Sequence, residues 1–162
     1  MALNSFCKLL PLSLLMATAA LAQSNTSYVT VGDVSKVAGK RGAAVQAKIP
    51  VTVKEGYHVN SNKPTESYLI PLSLTWTSTG PLEGGTVTYP KPLMEAFEFS
   101  EPPGSKLSVY MGSIELLANF KVAANAPAGP GIATGKLKYQ ACSNKACYPP
   151  KSIDVNVSYS VQ

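Results

Sequence analysis

Three cysteines, one histidine and four methionines in 162 residues leave little material for metal chemistry or for a histidine-dependent hydrolase. Such a hydrolase needs a histidine base oriented by a carboxylate. The single His58 lies in Gly56-Tyr57-His58-Val59-Asn60 with no nucleophile motif around it and reads as a turn residue. A closed metal site with four protein ligands would have to recruit most of the available soft and nitrogen donors. Charge of one sign is also scarce. The formal net charge is +5, from 14 basic and 9 acidic residues, with no basic run longer than Lys40-Arg41. That describes a mildly basic solvated surface, and no nucleic-acid partner is expected. Helical periodicity is missing too, because 12 glycines and 13 prolines interrupt the chain; only Pro92 to Phe97 has room for a helical turn.

The N-terminus is a different kind of segment. Residues 1–22 carry one charged side chain, Lys8, then an apolar run from Leu9 to Ala20, and end in Ala20-Leu21-Ala22. This is the pattern of a cleaved secretory signal with a small-x-small site. No later segment approaches the roughly 18 consecutive apolar residues of a spanning helix, so a soluble exported protein without a membrane span is expected, periplasmic or otherwise outside the cytoplasm. Residues 23–27 read as a flexible leader and 28–162 as one domain. Cleavage removes Cys7 and leaves Cys142 and Cys147, an even pair that an oxidising compartment favours as a disulfide.

The domain reads as all-β. Val45, Ala47, Ile49, Val51 and Val53 alternate with polar neighbours, the two-residue period of a strand with one buried face, and Pro50 on the polar side suggests an edge or a bulge. The same alternation recurs with Ile70, Leu72, Leu74 and Trp76, with Ile114, Leu116, Ala118 and Phe120, and with Ile153, Val155, Val157, Tyr159 and Val161. Weaker candidates are Tyr28 to Val31, Thr86 to Tyr89, Lys106 to Tyr110 and Ile132 to Tyr139, bounded by clusters such as Gly84-Gly85 and Pro102-Pro103-Gly104. Seven to nine short strands at this spacing predict an antiparallel sandwich.

Chemistry is concentrated in Cys142-Ser143-Asn144-Lys145-Ala146-Cys147. If the flanking strands are neighbours, the intervening turn can bring the two α-carbons within the roughly 4.4–6.8 Å that a disulfide requires. Closing so short a loop is worth only about 2 kcal/mol in the chain-entropy model. That modest gain favours thiol exchange over a structural staple without deciding between them. Three readings stay open on the residues alone: a redox pair that exchanges with partner thiols, a non-redox binding or scaffold module whose bridge pins a loop, and a copper-handling module using the thiolates with His58 or a methionine.

Tyr139-Gln140-Ala141-Cys142 followed by Cys147-Tyr148-Pro149-Pro150, just before the last strand, resembles the signature of the N-terminal periplasmic domain of the thiol:disulfide interchange protein DsbD. Gly56-Tyr57-His58-Val59-Asn60-Ser61 and Val109-Tyr110-Met111-Gly112 resemble the same family more weakly. The resemblance implies an immunoglobulin-like β-sandwich that passes electrons between thioredoxin-fold proteins, as donor and acceptor, without an organic cofactor or metal. It assigns Cys147 to the mixed disulfide with a partner, Cys142 to the resolving thiol, and Tyr148 and Pro149 to the rim of the docking surface. It also implies a cap loop within Met94 to Gly104, with Phe97 or Phe99 as the ring that shields the sulfurs. No electron-conducting membrane domain is encoded in these residues, so the resemblance further implies a separate membrane electron-conducting protein as the source of reductant.

Overall fold

A computed structural model describes residues 27–162. The expected signal segment and Cys7 lie outside the described residues, as does all but the last residue of the expected leader.

The described chain is an immunoglobulin-like β-sandwich without helix. Its strands are β1 (Val29–Val31), β2 (Val37–Gly39), β3 (Ala44–Val53), β4 (His58–Asn60), β5 (Ser73–Ser78), β6 (Leu82–Thr88), β7 (Leu93–Ala96), β8 (Lys106–Tyr110), β9 (Ser113–Val122), β10 (Gly129–Tyr139), β11 (Ala141–Cys142) and β12 (Lys151–Val161). They form three four-stranded sheets, ordered β1-β3-β9-β6, β2-β12-β10-β5 and β11-β4-β8-β7. Every pairing is antiparallel except β12 with β2.

The first two sheets share one core, filled by the apolar alternation of their long strands. Ala47, Ile49, Val51 and Val53 from β3 meet Leu116, Ala118, Phe120 and Val122 from β9, and Ala133, Leu137, Tyr139, Val155, Val157 and Val161 from β10 and β12. Pro50 is tolerated because β1 stops pairing at Val31↔Val51. The Pro50 carbonyl still accepts from Gly32 N at 2.9 Å, so its missing N–H falls on the side where the neighbouring strand has ended.

Several sequence expectations change. Pro92 to Phe97 is not a helical turn: Leu93–Ala96 is the edge strand β7, paired with β8. His58 is not a turn residue but the first residue of β4, and it is buried. The alternation that starts at Ile70 becomes strand only at Ser73, since the Ile70 N–H is taken by the Gln140 side chain and Pro71 has none to give. Gly84-Gly85 does not end a strand. It sits inside β6 at a register shift, where Gly85 (φ +76°) lets the indole of Trp76 donate to the Gly85 carbonyl at 2.8 Å.

Candidate functional site

The third sheet builds the site. β4 lies between β11 and β8, and β8 carries β7 on its far side. Gln140 locks β11 in place: its Oε1 accepts from Asn60 Nδ2 and from Ile70 N, both at 3.1 Å. Asn60 Nδ2 also donates to the Ile70 carbonyl at 3.0 Å. Gln140, two residues ahead of the first cysteine, therefore satisfies the N–H of Ile70, which lies outside any strand, while Asn60 satisfies its carbonyl.

Cys142 and Cys147 form a disulfide with an S–S distance of 2.02 Å and a Cα–Cα distance of 3.9 Å. The Cα separation is shorter than the sequence-based expectation, and the ladder explains why. The two cysteines oppose each other in an antiparallel bridge. Ser143 N donates to Ala146 O and Tyr148 N donates to Ala141 O, both at 2.9 Å, so Cys142 and Cys147 are the non-hydrogen-bonded pair between them. This is the position where antiparallel strands come closest. The turn is held by Ser143 Oγ, which accepts from Lys145 N and Ala146 N at 3.3 Å. Within this hairpin the two sulfurs differ: Cys142 is fully buried, whereas Cys147 is part-exposed.

On the other side of Cys142 stands His58, its register partner across β11 and β4. Its imidazole is 1% exposed. Phe97 stacks on it with ring centroids 4.0 Å apart and Phe99 lies nearly parallel to it at 5.9 Å. Burial pushes the imidazole pKa down to about 4, because the charged form loses its hydration and no anion replaces it. His58 Nε2 and Asn60 Oδ1 are buried atoms with no hydrogen-bond partner.

Both phenylalanines come from the loop between β7 and β8, inside the region expected to hold a cap. Phe97 starts the loop, and its carbonyl accepts from Ser100 Oγ at 2.6 Å, Ser100 N at 3.3 Å and Gly104 N at 2.9 Å. Gly104, at φ +83°, closes that turn in a conformation open to glycine. Phe97 is buried with Leu69, Leu107 and Val109 in a small second cluster, against which Phe99 and Cys147 both pack. A cleft of about 370 Å³ separates loop from hairpin, lined by Ala96, Phe97, Glu98, Asn144 and Lys145.

Tyr148 and Pro149 follow the part-exposed cysteine. Pro149 is exposed, and Tyr148 belongs to a tyrosine group, stacked on Tyr28 at 4.8 Å and tilted against Tyr57 at 6.0 Å. Lys54 and Lys151 lie over the Tyr57 and Tyr28 rings at 5.8 and 5.6 Å. Tyr28 and Tyr57 escaped sequence reasoning because they lie far from the cysteines in the chain. His58 was read as a turn residue or a copper ligand, and its place opposite Cys142 was missed because a three-residue strand shows too few positions to display a period.

Among the described residues, no group of three or more histidine, cysteine, aspartate or glutamate side chains could hold a metal ion. Nor is any helix there long and apolar enough to cross a membrane.

Residues 26–158 match the family described as thiol:disulfide interchange protein DsbD, N-terminal. No curated protein matches the chain. Among solved structures it is similar to the N-terminal periplasmic domain of ScsB from Proteus mirabilis, with a TM-score of 0.58 and 14% identity over 85% of this chain and 49% of that one. The chain thus spans about half the length of that relative, and the likeness bears on fold. A type I cohesin, the seventh of ScaB from Pseudobacteroides cellulosolvens, matches with a TM-score of 0.45 and 14% identity over 83% of this chain and 92% of that one. The family match and the Cys142–Cys147 bridge together support thiol–disulfide exchange as the chemistry of the site. With a match that runs through nearly all the described residues, the chain belongs to the N-terminal domain family of the thiol:disulfide interchange protein DsbD.

Proposed function

We propose that this chain is an exported, periplasmic module that relays reducing equivalents between thioredoxin-fold proteins through Cys142 and Cys147. A partner that is the electron donor attacks the bridge with its thiolate, and a partner that is the acceptor presents a disulfide to the reduced pair. Cys147 forms the mixed disulfide and Cys142 resolves it. A membrane electron-conducting partner supplies the reductant.

The observation that carries this reading is the asymmetry of the pair: a buried Cys142 and a part-exposed Cys147 beneath an aromatic loop. Thiol–disulfide exchange requires an approach in line with one sulfur, and only Cys147 offers it. The hairpin supports the same conclusion, because its ladder already aligns the residues that the bridge joins. A staple there adds little. Phe97 and Phe99 act as a cap that denies the sulfurs to small thiols until a docking partner lifts the loop. Tyr148, Pro149 and the tyrosine group beside them form the rim on which a partner sits.

The test is covalent trapping. In Cys142→Ser the mixed disulfide with a thioredoxin-fold protein accumulates through Cys147, and in Cys147→Ser it does not. Failure of Cys142→Ser to trap any thioredoxin-fold protein, with a bridge that resists reduction until the domain unfolds, overturns the relay and leaves the bridge as a staple.

A further inference from the structure

His58 is the chain's one histidine, and it is placed at a cost. A buried imidazole nitrogen without a partner has given up a hydrogen bond to water and received none in return. A phenylalanine could fill the space under Phe97 without that loss. The register accounts for the choice. His58 opposes Cys142, and Cys142 opposes Cys147. Directly opposed residues in an antiparallel ladder project to the same face, with Cβ atoms about 4.5–5.5 Å apart. Imidazole, buried sulfur and part-exposed sulfur therefore form a row on one face, with the cap rings stacked on its histidine end. While the bridge is closed, Cys142 carries no proton and offers nothing to an acceptor nitrogen. Once it opens, Cys142 is a thiol beside an unused base.

We propose that His58 is the general base of the resolving step, taking the proton from Cys142 when the mixed disulfide on Cys147 is broken. This inference rests on the exchange reading and deepens it. In the mixed disulfide, Cys147 Sγ is bonded to a partner sulfur and Cys142 is a thiol. Nε2 accepts the Cys142 proton, and the thiolate attacks Cys147 Sγ. The Cys142–Cys147 bond forms as the bond to the partner breaks. The partner leaves as a thiolate and takes a proton from the imidazolium or from water. Over the full exchange the domain's dithiol is oxidised and the partner's disulfide is reduced to two thiols, with no other reagent. In the opposite direction, the imidazolium protonates Cys142 as it leaves.

The surroundings suit both protonation states in turn. With the bridge closed, burial keeps the ring neutral, the form that can accept a proton. A thiolate formed beside it favours the imidazolium by direct attraction. Phe97 and Phe99 from the cap stack on the ring and Cys142 is its register partner on β11; Glu98 and Lys145 lie exposed along the neighbouring cleft, and Tyr57 precedes it in the chain.

The test uses the reduced protein and glutathione disulfide as the probe, with acid quenching and mass spectrometry to follow the glutathione adduct on Cys147. In His58→Phe, which keeps a ring against Phe97, the adduct should form no more slowly than in the wild type but disappear about a hundredfold more slowly, the lower end of a general-base contribution. Its disappearance should then accelerate about tenfold per pH unit up to the thiol pKa, because solvent alone generates the thiolate. In the wild type the dependence should be shallower. Phe97→Ala separates base from packing, since it opens the cap and keeps the imidazole. It should speed adduct formation without slowing resolution. Unchanged resolution in His58→Phe, or equal slowing in Phe97→Ala, overturns the proposal. If glutathione resolution depends on His58 while Cys142→Ser traps no thioredoxin-fold protein, the relay fails and the base assignment stands.

Discussion

Protonating His58 in the folded domain puts a cation under Phe97 with no anion beside it, and this couples one residue to the pH dependence of stability. The unfolded imidazole titrates near its ordinary 6.5, the folded one at about 4. Between these values the unfolded chain binds the extra proton, so stability rises with pH across the window and is lost as pH falls through it. The full gap corresponds to about 3 kcal/mol. Urea titrations from pH 7 to pH 4 should show a decrease of that order in the wild type and a flat profile in this window for His58→Phe. A pH-independent wild type would mean that the imidazole is solvated. Sequence reasoning located Cys142 and Cys147 by their spacing and motif, yet it placed His58 in a turn. The cysteines announce themselves because they are rare in the chain. The role of His58 depends on a register that brings residues 58 and 142 together, and no local pattern encodes that.

At the scale of the element, the edge strand β7 and the loop after it carry the cap, and their opening is separable from unfolding of the sandwich, into which β8 is built with four of its five residues buried. β7 is an edge strand with all four residues exposed, and the loop it feeds is buried chiefly through Phe97. Elements with so little burial open at less than the cost of global unfolding. Phe97→Ala should therefore raise the rate at which dithiothreitol reduces the bridge while lowering global urea stability by less than the about 3–5 kcal/mol of a fully buried phenylalanine. A reduction rate equal to the wild type's would mean that the loop does not control access. By contrast β10 tolerates no addition at Gly135, where a Cβ would lie 2.9 Å from both the Thr75 carbonyl oxygen and Trp76 Cε3. Gly135→Ala should cost about 1–3 kcal/mol in urea unfolding with little change in reduction rate. The strands β3, β9 and β12, and the run that leads into β5, were legible because each has enough residues on one face to show the two-residue period, whereas β10 was read more weakly, from the turn residues that bound it. β2, β4, β7 and β11 were not, being two to four residues long and defined by their neighbours rather than by their own composition.

The whole molecule is a large core with a small reactive annex. The two sheets ordered β1-β3-β9-β6 and β2-β12-β10-β5 enclose most of the main apolar cluster, which Val59, Tyr110 and Ala141 of the third sheet join, while Leu69, Phe97, Leu107 and Val109 form a separate one beneath the cap. The sandwich was legible as a fold class from alternation and turn residues. The third sheet was not, since it gathers β4, β7, β8 and β11 from across the chain, and such non-local pairing leaves no trace in a sequence window. This division sets what redox change does to the fold. The bridge closes a short loop whose strands are already hydrogen-bonded, so opening it releases little denatured-state entropy, about 2 kcal/mol in the chain-entropy model. The main core contributes far more. Reduced protein should therefore keep its β circular-dichroism spectrum and unfold cooperatively, with a Tm lowered by roughly 4–16 °C. Leu137→Ala, which opens a cavity in the main core, should cost about 2–5 kcal/mol in both redox states, because Leu137 belongs to the main cluster whereas Cys147 packs against the separate one beneath the cap. Unfolding of the reduced wild type at room temperature would contradict this division and assign the bridge to the core's stability. Cooperative unfolding in both states, with equal losses from Leu137→Ala, is the behaviour required of a domain that cycles its disulfide without cycling its fold.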